Sequence, residues 1–290
     1  MPAEWEPQSC TWLGWPVLDG RETLWGEHYQ AVCLEFARVA QTIAKYQTCK
    51  VTAYWPCVEQ AKRLCGSDVE VIGVGAEDNW LRDFGPIFLT GPNSLAAAIF
   101  QFNACGGKYP NYDGCQQLGE DIAILTEAKR FHSDMVLEGG AFYADGNGTL
   151  LTTESCLLNP NRNPRMSKAD IEAELKRMLG AEKIIWLPGN PLETETNGHI
   201  DGIAAFVAGG KLLFQSANPD QGEYYRIMQE NRRAIELATD ACGRRFEIID
   251  LPAPIVTEHL SDDRNCDCYA NYILVNGGLI ASAFGTPQDA

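Results

Sequence analysis

Four stretches of this chain share one form, an apolar run, a Gly-containing turn and a second apolar run: GPIFLTGPNSLAAAIFQF, GGAFYADGNGTLLTT, GIAAFVAGGKLLFQ and ANYILVNGGLIASAF. Two apolar runs joined by so short a Gly-rich turn read as a β-hairpin. The turns centre near Asn93, Asn147, Gly209 and Gly277, a spacing of roughly 50 to 70 residues, longer than most propeller blades because helices are interposed. The period predicts pseudo-symmetric blades.

The interposed helices are legible from side-chain spacing. From Trp25 onward Tyr29, Val32, Phe36, Val39 and Ile43 step by three and four, which lines one helix face. Ser167 with Asp170 resembles a capping box, Ile171, Leu175 and Met178 form the apolar stripe, and Gly180 is placed to end that helix in a left-handed cap. A third helix starts near Glu223, turns Tyr224, Ile227, Met228, Ile235 and Ala238 inward, and ends by Gly243. The β-like runs KVTAYW, KIIWLP and FEIIDLP follow the helices, so the repeated order is hairpin, helix, strand. No linker or low-complexity segment divides the chain. The expectation is one α/β domain over residues 1–290, with a doubly wound sheet as the structural alternative.

Of the 290 residues 45% are hydrophobic, enough for a sizeable core and without a disorder signature. The start, MPAEWEPQSC, has neither a basic segment nor an apolar one, and no stretch approaches the ~18 apolar residues of a spanning helix. A soluble, cytoplasmic protein with no membrane partner is expected. Eleven cysteines, an odd number, lack metal-type pairing; Cys266 and Cys268 stand too close for a zinc knuckle. Reduced thiols in a cytoplasm account for them. The formal charge of −16 argues against a phosphate-backbone partner, so no nucleic acid is expected. Such a field draws cations, although solubility is the weightier explanation for the acidity.

Polar residues gather where the hairpins begin: DNWLRDFGP before the first, LEGG before the second, TNGHIDG before the third. If His199 and Asp201 enter the third hairpin as a strand, alternation points both side chains the same way, a proton carrier beside an anion. Equivalent blade entrances converge on a common axis, so Asp83, Glu138, His199 and Asp201 are the candidates for one site. Taken singly, each has a structural explanation: Asp83 pairs Arg82 or caps a turn, Glu138 is a solvated edge residue, and Trp80 is core. Recurrence in register favours the functional reading.

The stretches MPAEWEP, WLGWP, DNWLRDFGPIF, FNACGGKYPNYD, LEGGAFYADGNGTLLTTESCLLNPNRNP, NGHIDGIAAF and YANYILVNGG together resemble the agmatine deiminases, or agmatine iminohydrolases. That family belongs to the guanidine-modifying (pentein) superfamily, which includes the bacterial peptidyl-arginine deiminases. The resemblance spans nearly the whole chain in the family's order. It implies a five-bladed α/β propeller with a central site, no metal or organic cofactor, a small cationic guanidinium substrate and a homodimer. It also assigns roles. Asp83 and Asp201 would grip the guanidinium, whose planar N–H fork matches carboxylates. His199 would shuttle protons, Glu138 would orient or tune it, and Trp80 would supply a cation-facing wall.

The implied reaction needs a thiolate that forms an amidino-thioether, later hydrolysed by water. In the family that cysteine lies near the C-terminus, in a Gly-rich stretch ending in a His-Cys pair; this chain ends in SAFGTPQDA. The expectation is a last blade left incomplete and a domain truncated relative to the family. Three readings stay open: a fragment of a longer deiminase, an inactive relative that binds guanidinium or serves as a scaffold, or a replacement nucleophile. For the last, Cys105 stands where the family usually carries tryptophan, whereas Cys156, within a matched stretch, needs no catalytic role. Asn197 and Gly202 stand where relatives commonly have aspartate, which weakens recognition of a distal ammonium. Deimination of arginine, free or in peptides, is therefore the alternative activity.

Overall fold

Each of the four Gly-containing stretches forms the antiparallel pair of strands that its turn residues dictate. The computed structural model describes residues 1–17, 25–76, 78–110, 112–254 and 268–289, so Cys266 lies outside the described residues. The chain folds as two compact units, one of Glu6–His132 with Leu274–Ile280, the other of Met1–Trp5, Ser133–Ile273 and Ala281–Ala290.

The first unit opens with strands β1 (Cys10–Gly14), β2 (Thr48–Tyr54) and β3 (Val69–Val74), which pair in parallel in that order. Parallel neighbours need crossovers, and helices α1 (Tyr29–Ala44) and α2 (Val58–Cys65) lie between them in the chain. The buried face of α1 is Tyr29, Cys33, Ala37, Ala40 and Ile43. The expected stripe through Val32, Phe36 and Val39 is rotated, leaving those three only partly buried. Small side chains at the centre of the face let a helix approach its neighbours closely.

Next comes a one-turn helix, Leu81–Phe84, then the hairpin β4 (Ile87–Gly91) and β5 (Ser94–Gln101), helix α3 (Asp113–Leu125) and β6 (Lys129–Val136), with sheet order β4-β5-β6. Phe84 of the short helix packs in a cluster with Phe102, Cys115, Leu118 and Ile122. Gly119 of α3 makes this possible, because a Cβ there would stand 2.8 Å from the Phe84 carbonyl oxygen. Any larger residue would push α3 off the turn that carries Asp83.

The second unit repeats hairpin, helix, strand twice. Strands β7 (Phe142–Ala144) and β8 (Thr149–Thr153) are antiparallel, α4 (Lys168–Leu179) follows, and β9 (Lys183–Leu187) pairs in parallel with β8. Strands β10 (Ala204–Ala208) and β11 (Lys211–Gln215), helix α5 (Glu223–Leu237) and β12 (Glu247–Leu251) do the same. The α4 capping box is present, Ser167 Oγ accepting from Asp170 N and the Asp170 carboxylate accepting from Ser167 N, and Gly180 closes the helix at φ 69°. Helix α5 ends at Leu237, short of Gly243, and the centre of its buried face is Asn231 between Met228 and Ile235. The hairpin β13 (Tyr272–Val275) and β14 (Gly278–Ala281) completes five sheets among the described residues. Those strands are divided among separate small sheets, which sets aside the doubly wound alternative and leaves an α/β fold of repeated units. No helix among the described residues is long and apolar enough to cross a membrane.

Candidate active site

The segment before β10 is wound around one carboxylate. Glu193 accepts from the N–H groups of Thr196 at 3.0 Å and Gly198 at 2.8 Å, from that of Glu195, and from the Thr196 hydroxyl at 2.5 Å. Burial pushes its pKa upward, yet the Thr196 hydroxyl and the Gly198, Thr196 and Glu195 N–H groups together hold it below the ordinary carboxylate value. Asn197 and Gly198 take positive φ, 65° and 82°. A Cβ on Gly198 would lie 2.6 Å from Ser155 Oγ. Thr153 donates to the Gly198 carbonyl at 2.7 Å, and His199 N donates to Thr196 Oγ1 at 3.1 Å. The loop before this segment is pinned as well: Asn231 of α5 accepts from Gly189 N and donates to Gly189 O, both at 2.8 Å.

So fixed, His199 caps a 3-10 turn, Ile200–Gly202. This corrects the expectation of a strand entrance. Strand alternation does not begin until Ala204, because the left-handed pair Asn197 and Gly198 turns the chain into a helical step first. Asp201 is half-buried and its Oδ2 accepts from Asn271 at 3.4 Å.

Glu138 stands just before the turn Gly139–Ala141 that leads into β7 and is fully buried. Its Oε1 accepts from Arg162 Nε at 2.8 Å, and its Oε2 lies 3.9 Å from His199 Nε2, an ion-pair separation too long for a hydrogen bond. Arg162 is itself enclosed: Nη1 donates to Asn161 Oδ1 at 2.8 Å and Asn197 Oδ1 at 2.6 Å, and Nη2 to the Thr196 carbonyl at 2.9 Å. One guanidinium thereby joins the Glu138 loop to the residues preceding His199. An imidazole beside a buried carboxylate is an arrangement that suits acid–base work. Cys156, on the turn Glu154–Leu157 after β8, places its Sγ within 4.8 Å of a Glu138 oxygen and a His199 nitrogen.

Trp80 and Asp83 belong to the first unit and share one turn. Trp80 precedes the helix Leu81–Phe84, is 40% exposed and accepts at its carbonyl from Asp83 N at 2.9 Å. Trp80 is therefore not core. Asp83 is half-buried, on a turn anchored by Phe84.

The family model for Porphyromonas-type peptidyl-arginine deiminase matches residues 1–290. An agmatine deiminase of Medicago truncatula is 36% identical, covering 98% of this chain and 84% of its own length, and one of Pseudomonas aeruginosa is 35% identical, covering 100% and 84%. Among solved structures, the agmatine deiminase of Enterococcus faecalis superposes with a TM-score of 0.94 at 29% identity, covering 100% of this chain and 84% of that one. The chain belongs to the Porphyromonas-type peptidyl-arginine deiminase family.

Within this family member the sequence points to the loops that carry the candidate residues but not to what holds them. Arg162 and Glu193 are not legible in the sequence, because a charged residue in a polar stretch gives no periodic signal of burial; the one hint for Arg162 is its place inside TTESCLLNPNRNP. The oxygen of Asn197 is taken up by Arg162 and Asn161, the latter at 3.0 Å. Cys105 is buried at φ 53° in a run of positive φ from Ala104 to Gly107. Cys268, also buried, donates to Gln215 Oε1 at 3.2 Å and to the Gly202 carbonyl at 3.5 Å, bracing the turn that carries Asp201.

Proposed function

We propose that this protein is an agmatine deiminase, a hydrolase of amidine C–N bonds that converts agmatine to N-carbamoylputrescine and ammonia. The observation that carries the reading is the buried pair of Glu138 and His199, 3.9 Å apart, with Asp201 on the same turn, in a chain related over its length to agmatine deiminases. A solved structure of that activity from C. jejuni, 26% identical with a TM-score of 0.87, is a cysteine-to-serine variant with substrate bound, which fits a thiolate nucleophile.

In this reading Asp83 and Asp201 hold the guanidinium through paired N–H donors, and the face of Trp80 covers the cation. A thiolate attacks the guanidinium carbon, and the C–N bond breaks as His199 delivers a proton to the departing ammonia. His199 then takes a proton from the water that releases the product and regenerates the thiol. Glu138, fixed by Arg162, keeps the imidazole oriented. The reading carries a five-bladed propeller in which each hairpin unit is a blade, a cytoplasmic location, and a homodimer to be checked by light scattering.

Ammonia release from agmatine tests it. His199→Ala and Asp83→Asn are each expected to lower the rate by at least ~100-fold, the usual worth of a positioned proton carrier, and equal rates in wild type and His199→Ala would overturn the mechanism. Because the family model is named for peptidyl-arginine deiminase, an arginine peptide is the competing substrate, and its outcompeting agmatine would transfer the activity to that class. Calorimetry that found agmatine bound but unchanged would assign guanidinium binding without turnover.

A further inference from the structure

Glu138, Cys156 and His199 bring one metal-ligating atom each to within 4.8 Å of one another. They arrive from three loops, before β7, after β8 and after β9, and all are buried, with exposures of 0%, 0% and 4%. Glu138 Oε2 is enclosed without a hydrogen-bond donor, because Arg162 Nε reaches only Oε1. A carboxylate oxygen in that state has lost its water and gained no replacement, which is unfavourable. It is an atom for which an incoming cation is a net gain.

We propose that these three residues form a binding site for a thiophilic divalent cation of the zinc class, an inhibitory site distinct from any cofactor role. Thiolate, imidazole and carboxylate are the donors such a cation selects, whereas magnesium and calcium require oxygen ligands alone. With metal–ligand bonds of about 2.0–2.3 Å, tetrahedral donors stand about 3.3–3.8 Å apart. The Oε2–Nε2 separation of 3.9 Å is already close to that, and the thiol sulfur lies within 4.8 Å of a Glu138 oxygen and a His199 nitrogen. On binding, the sulfur–metal bond forms, and the thiol proton and any proton on the coordinating imidazole nitrogen leave to solvent. The cation also captures the imidazole on which the proposed hydrolysis depends. Inhibition therefore rests on that functional reading, but binding does not.

Cobalt(II) is the probe. Added to the chelator-treated 290-residue chain, it is expected to give a thiolate-to-cobalt charge-transfer absorption that saturates at about one equivalent and that zinc abolishes. Cys156→Ser should remove the absorption, while Cys242→Ser, at an exposed thiol, should retain it. His199→Gln and Glu138→Gln should weaken cobalt by more than the ~10–100-fold that second-shell partners cost. Circular dichroism establishes that each variant is folded. Absence of the absorption in wild type, or its survival in Cys156→Ser, overturns the site. Should Cys156→Ser not fold, undiminished cobalt affinity in His199→Gln overturns it instead. A chain that binds cobalt in this way yet never turns over agmatine would sink the functional reading and leave this one standing.

Discussion

Arg162 donates from three nitrogens to four acceptors: Glu138, Asn161, Asn197 and the Thr196 carbonyl. Its ion pair with Glu138 has both side chains at 0% exposure, so removing one partner leaves a buried charge uncompensated. Arg162→Ala is expected to destabilise the fold by about 3–5 kcal/mol, read as a fall in denaturant midpoint. Arg162→Lys should recover only part of that loss, because a lysine ammonium cannot present the planar fork these acceptors match. Full recovery would mean that charge alone matters and the fork does not. Glu193 makes a second, pH-dependent demand. Its folded pKa lies below the unfolded value of about 4.3. The stabilisation is therefore complete above that value and drains away as pH falls through the folded pKa. The stability gap between wild type and Glu193→Gln should accordingly be wide at neutral pH and narrow on acidification; a gap constant down to about pH 3 would sink the assignment.

At the level of elements, α5 acts on the site at a distance through Asn231, which holds both polar groups of Gly189 and also donates to the Ile227 carbonyl at 3.0 Å. Asn231→Leu leaves a buried N–H and a buried carbonyl without partners, which should cost about 2–4 kcal/mol. Since Gly189 opens the loop that leads to His199, activity should fall as well. Full stability in that variant would show that water replaces the amide. Asn231 also marks the limit of what periodicity discloses. The α5 stripe of Met228 and Ile235 is legible because apolar residues recur at helical spacing, whereas a buried amide looks like a solvated one until its partner is known. The hairpins are legible for a local reason, their turn residues lying within a few positions of the strands they join. The β1-β2-β3 sheet is not, because parallel pairing is decided by side chains tens of residues apart. The same holds for the candidate site: Glu138, His199 and Asp201 sit in recognisable polar stretches ahead of the hairpins, while Arg162, Glu193 and Cys268 act through contacts that no local pattern encodes.

For the whole molecule, the formal charge of −16 admits two physical roles, steering a cationic substrate or keeping the protein soluble. Steering requires the charge to be focused in a cleft with low-dielectric walls, where it raises encounter rates ~10–1,000-fold. Many of the acidic side chains instead stand in solvent: Glu27 is 90% exposed and Glu59 87%. Several are matched on the surface by Lys or Arg, as in Lys50–Glu70, Lys168–Glu154 and Lys211–Glu247. Charges so dispersed are screened over about 10 Å at 0.1 M salt, so attraction of the substrate should come from the site carboxylates alone. Raising ionic strength from about 0.02 to 0.5 M should therefore change kcat/KM for agmatine by less than ~3-fold with kcat unaltered. A tenfold fall would show instead that the surface field gathers the substrate, and the acidity of the chain would then belong to its catalysis rather than to its solubility.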